Sequence, residues 1–213
     1  MLMIWNFRRI LLLSFILSFA LIITGCSSSK EAQKQDAKPT GAGGPVVMSN
    51  QDEQIANLGL TVPRNYEPKG IIINYKADKE LNFYDGTSHA LMIAVYQLDN
   101  INVFNQLAKD LSGTQKLLGL DKSDKSVLGC DRYFVEPGEI KKIEIDRLEN
   151  AKWLGIVAGY YDLVPVQAIR TYEIPIVIEK KGVYGFRKTG VNMAELTVNL
   201  YLGSNSMQEV QNP

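Results

Sequence analysis

Short apolar runs separated by turn-forming residues fill the chain from about residue 70 onwards. The runs are rich in β-branched and aromatic residues and cover positions 71–75, 91–97, 140–146, 153–161, 173–179 and 194–202. Within 140–146, Ile143 and Ile145 alternate with charged residues, the period expected of a strand with one buried face. Strands of this length and spacing predict a mainly β domain, an antiparallel β-sandwich.

After the second run the periodicity is helical instead. Over Asn102–Leu111, the apolar residues Phe104, Leu107, Ala108 and Leu111 recur at i, i+3, i+4 and i+7. This spacing places them on one face of a helix. A second helical turn, Thr114–Leu118, ends at Gly119. The sequence therefore predicts a sandwich that carries a short helical insertion.

Two prolines refine the strand pattern. Pro175 lies inside the run 173–179 and favours an edge strand or a bulge, because proline has no N–H for a central ladder. Pro137 and Gly138 suit the two central positions of a type II turn.

The first 25 residues are organised as a secretory signal peptide. Arg8 and Arg9 precede fourteen uncharged residues, 10–23. As a helix these would span about 21 Å, short of the roughly 30 Å hydrocarbon core of a bilayer. The following Ile23-Thr24-Gly25-Cys26 resembles the bacterial lipobox, whose cysteine becomes the lipidated first residue of the mature protein. The resemblance implies lipidation of Cys26, and Ser27 after it resembles lipoproteins that pass on to the outer membrane.

Residues 26–68 are predicted to link the lipid to a folded domain at 69–213. Positions 27–44 carry only alanine as an apolar side chain, so they cannot bury enough surface to fold and should be a flexible tether. Residues 50–58 could form a short helix that ends at Gly59. A soluble chain that starts near Pro68 is expected to unfold cooperatively, on the premise that the segment before it adds nothing to the core.

Charge and cysteine content narrow the functional classes. The chain has 23 basic and 23 acidic residues, and both charges of the signal peptide are basic, so the mature protein is slightly negative. No basic block is interleaved with aromatic residues, which makes nucleic acid an improbable partner. Once Cys26 is lipidated, Cys130 is the only cysteine left and no intramolecular disulfide can form. Cys130 is predicted to be buried or half-buried, a reactive thiol being the less favoured alternative.

The sequence shows no array of catalytic or metal-binding groups. His89 is the only histidine, and no Gly-x-Ser-x-Gly nucleophile motif is present. One histidine and one remaining cysteine are too few for a zinc site. Asp121 and Asp124 stand among lysines and a serine, which indicates a solvated loop rather than a calcium site. We therefore expect no enzyme activity, no metal and no cofactor apart from the covalent lipid on Cys26.

The order of segments after the tether resembles the TssJ family, the outer-membrane lipoproteins of bacterial type VI secretion systems. The resemblance covers about Ile71 to Leu163. Its segments, in order, are Leu81-Asn82-Phe83-Tyr84-Asp85-Gly86, Val95-Tyr96-Gln97-Leu98, Phe104, Leu118-Gly119, Glu136-Pro137-Gly138-Glu139 and Leu154–Asp162. Family members usually have a Trp-Arg pair soon afterwards, whereas Gln167–Arg170 keeps only the arginine. Lys180–Gly190 resembles an extra loop.

The resemblance implies a transthyretin-like β-sandwich with added helices, anchored in the outer membrane with its domain facing the periplasm. It also implies a scaffold that binds the periplasmic part of the inner-membrane protein TssM, which associates with TssL. Two other kinds of lipoprotein stay open as alternatives. One is a pilotin-like chaperone for a different secretion machine, and the other is a periplasmic lipoprotein that binds a small ligand.

The family's main contact with TssM is the loop between the first two strands, which corresponds to Lys76–Ala90. The resemblance thus implies a partner-binding site at Asn82, Phe83, Tyr84, Asp85 and Gly86. Phe83 and Tyr84 offer large aromatic surfaces beside a turn, and aromatic residues at the centre of a patch carry much interface energy. The alternative is that either ring folds back into the core. Lys180–Gly190 is the next candidate for the contact.

Overall fold

The computed structural model describes residues 50–119, 122, 124–181 and 188–210. Their strands are β1 (Glu67–Ala77), β2 (Leu91–Leu98), β3 (Val127–Val135), β4 (Ile140–Arg147), β5 (Trp153–Ala158), β6 (Ile169–Glu173), β7 (Ile176–Lys181), β8 (Lys188–Met193), β9 (Leu196–Leu202) and β10 (Met207–Glu209). Their helices are α1 (Asn50–Asn57), α2 (Asn102–Leu107), α3 (Leu111–Leu118) and α4 (Pro165–Ala168). The signal peptide, Cys26 and the polar stretch 27–44 lie outside the described residues.

Two four-stranded sheets form the layers of a sandwich. The first has the strand order β10-β9-β1-β4 and the second the order β3-β2-β5-β6, while β7 and β8 form a separate two-stranded sheet. Alternate residues of β1, namely Ile71, Ile73 and Tyr75, are buried because a strand turns every second side chain towards the facing layer. The predicted β-sandwich with a short helical insertion is confirmed.

One strand pair departs from the antiparallel arrangement. Strands β1 and β9 run parallel, in a register from Ile71 opposite Leu196 to Ala77 opposite Leu202. Parallel neighbours need a long crossover connection. Here the whole of β2 to β8 lies between the two strands in the sequence, so β9 can enter the sheet from the same end as β1.

Two predicted elements have different bounds in the structure. The prediction of one continuous strand over 173–179 is wrong, since β6 ends at Glu173 and β7 begins at Ile176. Pro175 lies in the gap, where its missing N–H breaks the ladder. The predicted helix 102–111 is shorter in the structure, since α2 ends at Leu107, and the predicted second turn 114–118 is part of α3, which begins at Leu111. The Asp110 side chain caps α3 by accepting a 2.7 Å hydrogen bond from the Gly113 N–H. Leu111, expected on the buried face, is therefore 48% exposed.

Helices α2 and α3 cover the outer face of the second sheet. The buried ring of Tyr96 on β2 meets Phe104 of α2 edge to face, with ring centroids 5.5 Å apart. The Tyr96 hydroxyl donates a hydrogen bond to the carbonyl of Leu117 on α3. The same strand residue therefore contacts both helices of the insertion, α2 through its ring and α3 through its hydroxyl.

The connections at one end of the sandwich are 78–90, 136–139, 159–168 and 203–206, and we call this the loop end. Hydrogen bonds join these connections to one another. The Gly138 N–H donates to the Asp78 carbonyl at 2.9 Å, and the Asn82 N–H donates to the Gly203 carbonyl at 3.4 Å. Gly138 has a φ of +76° and the Glu139 N–H donates to the Glu136 carbonyl at 3.1 Å, which confirms the predicted turn.

The opposite end, which we call the tether end, holds α1 and the connections 99–126, 148–152, 174–175 and 194–195. The segment 50–66 packs on the sandwich here. Ile55 of α1 is buried, the Gln51 side-chain oxygen accepts a 3.0 Å hydrogen bond from the Ile176 N–H, and Arg64 forms an ion pair with Asp52. The packed part of the chain therefore begins before the predicted domain boundary at residue 69.

Candidate functional site

The loop 78–90 between β1 and β2 is held in place by two buried residues. Leu81 is fully buried and Asn82 is only 3% exposed. The Asn82 amide nitrogen donates to the Ala90 carbonyl at 3.1 Å, and its amide oxygen accepts from the Tyr161 N–H at 2.8 Å. Asn82 has a φ of +47°, a left-handed conformation that asparagine tolerates better than most residues. One side chain thus closes the loop and joins it to the neighbouring connection 159–168.

The tip of this loop is a tight two-residue turn. The Thr87 N–H donates to the Tyr84 carbonyl at 3.1 Å, and the Tyr84 N–H donates to the Thr87 carbonyl at 2.9 Å. Asp85 and Gly86 at the centre of the turn have φ values of +49° and +78°. Positive φ at both central positions is what an Asp-Gly pair in a hairpin turn favours. The local sequence therefore dictates the shape of the tip.

The acidic side chain of Asp78 fixes the start of the loop. Its carboxylate accepts hydrogen bonds from the Tyr201 hydroxyl on β9 and from the Glu80 N–H, the latter at 2.9 Å. The bond from Tyr201, followed by the bond from Glu80, lowers the pKa of Asp78 below its ordinary value. The Phe83 N–H also donates to the Ser204 carbonyl at 2.9 Å. Together with the bond from the Asn82 N–H to the Gly203 carbonyl, this joins the loop to the β9–β10 connection at two places.

The two aromatic residues of the loop face the solvent. Phe83 is 44% exposed and Tyr84 is 54% exposed, so neither ring belongs to the core. The Tyr84 ring stacks on Tyr161, with centroids 4.9 Å apart and planes 15° apart. The rings of His89 and Tyr161 are in edge-to-face contact, with their centroids 4.8 Å apart. The loop end thus presents aromatic surface on a backbone that is held by the hydrogen bonds of Asn82 and Asp78.

The structure separates the five residues of the predicted partner site into two groups. Asn82 lies inside and supports the loop, whereas Phe83, Tyr84, Asp85 and Gly86 lie on the surface. Tyr161 joins the surface group although the sequence did not single it out. Its segment belongs to the recognised pattern, but its proximity to Tyr84 arises only when two connections of the folded sandwich meet.

The other residues considered for catalysis or metal binding are His89, Cys130, Asp121 and Asp124. His89 Nε2 lies 3.2 Å from the Tyr84 carbonyl oxygen and 3.1 Å from the Thr87 hydroxyl, within the loop itself. Cys130 is buried, as predicted, and burial raises the pKa of its thiol, which disfavours the reactive thiolate. The Asp124 carboxylate accepts a 2.8 Å hydrogen bond from the Ser126 N–H, and Asp121 lies outside the described residues. Within the described part of the chain, no cluster of His, Cys, Asp and Glu could hold a metal ion.

A cavity in the helical insertion and the lengths of the helices complete the description of possible sites. A cavity of about 230 Å³ lies between α2, α3 and the start of β3 and is lined by Val103, Phe104, Leu107, Lys116, Leu117, Asp124, Ser126 and Val127. Its lining residues belong to the connection 99–126 and to the first residue of β3, and none of them belongs to the connections of the loop end. Among the described helices, none has both the length and the apolar character needed to cross a bilayer.

Solved structures of type VI secretion components resemble this one. Lip from Serratia marcescens, a membrane-bound component of the type VI secretion system, is 19% identical over 67% of this chain and 98% of that chain, with a TM-score of 0.51. TssJ1 from Pseudomonas aeruginosa, a type VI secretion lipoprotein, is 21% identical over 71% of this chain and 98% of that chain, with a TM-score of 0.48. The likeness in fold rests on Lip, whose TM-score exceeds 0.5.

The sequence itself matches a family model. The model, described as type VI secretion lipoprotein, VasD, EvfM, TssJ, VC_A0113, matches residues 69–187. No curated protein sequence matches the chain significantly. Because the matched region is more than half of the 213 residues, the chain belongs to the type VI secretion lipoprotein family that includes TssJ.

Proposed function

We propose that this protein is a scaffold of the type VI secretion membrane complex, anchored in the outer membrane by a lipid on Cys26. Its domain faces the periplasm and binds the periplasmic domain of a TssM-like inner-membrane protein, and through it associates indirectly with TssL. The contact is made by the loop end, with Phe83 and Tyr84 as its apolar anchors. The family membership of the chain supports the role in secretion, and the geometry of the loop end supports the choice of surface.

The observation that carries this proposal is the exposure of Phe83 and Tyr84 on a rigid loop. Large apolar side chains on a flexible loop would lose conformational entropy on binding, which reduces affinity. Here the bonds of Asn82, Asp78 and the Tyr84–Thr87 turn fix the backbone before a partner arrives. Exposed aromatic rings on such a support are typical binding anchors.

The position of the tether supports the same surface. The chain from Cys26 reaches the described domain at α1, which packs at the tether end through Ile55 and Gln51. The loop end lies at the far ends of β1 and β9 from that point. The loop end is therefore opposite the point at which the chain enters the described domain, which suits a partner that approaches from the inner membrane. The 230 Å³ cavity between α2, α3 and β3 is smaller than the roughly 300–1,000 Å³ of ordinary ligand sites, so this cavity by itself gives the small-ligand alternative little support.

The test is direct binding of soluble Ser27–Pro213 to the periplasmic domain of the TssM-like protein of the same organism, by isothermal titration calorimetry. Phe83→Ala and Tyr84→Ala should each weaken binding by about 1–4 kcal/mol. The melting temperature should change little, because both rings are exposed. Tyr66→Ala is the matched control, since Tyr66 is 52% exposed at the tether end.

Two results would count against the proposal. Wild-type protein that does not bind the TssM-like domain would refute the function. A well-folded Phe83→Ala/Tyr84→Ala double variant that binds like the wild type would move the contact to another surface, with Lys180–Gly190 as the next candidate.

A further inference from the structure

We infer that the loop end recognises a cationic segment of its partner, with an arginine or lysine side chain packed against Tyr84 and Tyr161 and paired with the carboxylates beside them. The inference rests on the proposed function, because it states what chemistry the partner must offer to this surface. Three features carry it: the charge of the loop end, the geometry of the two rings, and the free carboxylates that follow each ring in the sequence.

The four connections of the loop end are strongly acidic. Together, 78–90, 136–139, 159–168 and 203–206 contain one lysine, Lys79, and six carboxylates, Asp78, Glu80, Asp85, Glu136, Glu139 and Asp162. At the tether end, 50–66, 99–126, 148–152, 174–175 and 194–195 together have eight carboxylates and six basic side chains and are closer to balance. Arg170 at the start of β6 adds one cation beside the loop end, where it donates a 3.0 Å hydrogen bond to the Val166 carbonyl. The acidic excess is still larger at the loop end, although the complete sequence has equal numbers of acidic and basic residues.

Some of these carboxylates are already engaged within the protein. Asp78 accepts hydrogen bonds from Tyr201 and Glu80, and Glu139 accepts a 2.8 Å hydrogen bond from the Tyr75 hydroxyl and pairs with Lys141 at 3.4 Å. Asp85 and Asp162 are exposed, and no side-chain hydrogen bond or ion pair joins either of them to another described residue. The carboxylates of Glu80 and Glu136 are exposed and equally without such a partner among the described residues, but Asp85 and Asp162 are the two that adjoin the tyrosine pair in the sequence.

The tyrosine pair lies directly beside these two carboxylates in the sequence. Asp85 follows Tyr84, and Asp162 follows Tyr161. The rings are 54% and 58% exposed and lie nearly parallel, with 15° between their planes. The face of an aromatic ring is electron-rich and attracts cations, and an arginine side chain can stack on it while it hydrogen-bonds a carboxylate. Because each ring turns one face to the other, a guanidinium would stack on an outer face of the pair, with the carboxylate of the next residue in the sequence as its counter-charge.

An uncharged apolar partner would fit this surface less well. It would bury Asp85 and Asp162 without a counter-charge, and an unpaired buried carboxylate is costly. A cationic partner removes that cost and is also drawn towards the acidic end before contact, so association should be faster at low salt. Salt concentration is therefore the variable that distinguishes the two kinds of partner.

The experiment measures the affinity of soluble Ser27–Pro213 for the TssM-like periplasmic domain at ionic strengths from about 0.05 to 0.5 M. Wild-type affinity should fall with added salt. An Asp85→Asn/Asp162→Asn double variant should bind on the order of tenfold more weakly at low salt and show a smaller salt dependence than the wild type. Asparagine at 85 keeps the positive φ of the turn, so the loop should stay intact. Glu53→Gln/Glu149→Gln, two exposed carboxylates at the tether end, is the matched control and should bind like the wild type.

A second pair of variants tests the ring contact. Tyr161→Phe keeps the aromatic face and should keep the affinity, whereas Tyr161→Leu keeps apolar bulk without the aromatic face and should bind several-fold more weakly. Equal affinities for both would contradict a cation on the ring. Salt-independent wild-type binding, or unchanged binding by the Asp85→Asn/Asp162→Asn variant, would overturn the inference and leave the proposed function standing. Absence of wild-type binding at every ionic strength would overturn both.

Discussion

The ring of Phe104 lies directly against the backbone of Gly155. A Cβ atom built at Gly155 would lie 2.5 Å from Phe104 Cζ and 2.7 Å from Cε2, closer than real carbon atoms approach. Because Gly155 has no side chain, α2 can pack on the second sheet at this point of β5. The same ring meets Tyr96 of β2, so Phe104 joins the helical insertion to two neighbouring strands.

Gly155→Ala should destabilise the domain by about 1–3 kcal/mol, because the new methyl group displaces the Phe104 ring. Phe104→Ala should cost about 3–5 kcal/mol through loss of a buried ring. The double variant should lose less than the sum, since the methyl group introduced on β5 occupies space that the ring left. Urea unfolding followed by circular dichroism measures all three. Gly190→Ala is the control, because a Cβ there would meet a neighbouring atom only at 3.9 Å. Additive losses would show that the two sites are not coupled.

Asn82 should prove to be a structural residue. Asn82→Ala removes the bonds to the Ala90 carbonyl and the Tyr161 N–H, and the groups left unpaired should cost about 1–3 kcal/mol of unfolding free energy. Asn82→Gly removes the same bonds but adopts the positive φ without strain, so it should be less damaging than alanine. Chemical denaturation of both variants makes the comparison. A wild-type stability for Asn82→Ala would contradict the assigned role.

Acid should loosen the loop 78–90 through protonation of Asp78. The pKa of this carboxyl is lower in the folded state than its ordinary value, first because of the hydrogen bond from Tyr201. A lowered carboxyl pKa contributes stability at pH values above the ordinary pKa of about 4, and this stability is lost as the pH falls through the lowered pKa. Tyr201→Phe should therefore reduce the acid sensitivity of the loop, measured by exchange of the Glu80 amide hydrogen at pH 6 and pH 3. An identical pH dependence in wild type and variant would remove Asp78 from the explanation.

The segment 50–66 should contribute to stability. A soluble chain that starts at Asn50 should unfold at a higher urea concentration than one that starts at Pro68, because Ile55 is only 4% exposed and Arg64 is bonded to Asp52 and to the Ala151 carbonyl. Burial of the Ile55 side chain alone is worth about 1.5–3 kcal/mol. Ile55→Ala in the longer chain should reproduce part of the loss. Equal stability of the two chains would restore the boundary predicted near residue 69.

Cys26 is the predicted lipidation site. Cys26→Ser should leave the domain folded but abolish incorporation of labelled palmitate and retention in the outer-membrane fraction. Unchanged membrane retention without label would instead indicate a signal sequence that stays uncleaved as an anchor.

Local sequence was sufficient for the elements whose geometry depends on neighbouring residues. The alternation of β4, the Asp85-Gly86 tip and the Pro137-Gly138 turn all follow from side-chain period and permitted φ values. The pattern failed at β3, where Gly129, Asp131 and Arg132 interrupt the apolar run. β3 is an edge strand, so its exposed positions accept charge, and only its pairing with β2 identifies it.

The sequence by itself determined the family, the mainly β class and the candidate loop, because these depend on short segments and their order. Only the tertiary structure decided which side chains of that loop face the solvent. Asn82 is buried and accepts a hydrogen bond from the Tyr161 N–H of the connection 159–168, and Tyr84 stacks on Tyr161, which lies far away in the sequence. The parallel pairing of β1 with β9 is of the same kind. Contacts between distant segments depend on how the two sheets pack, and no local period encodes that packing.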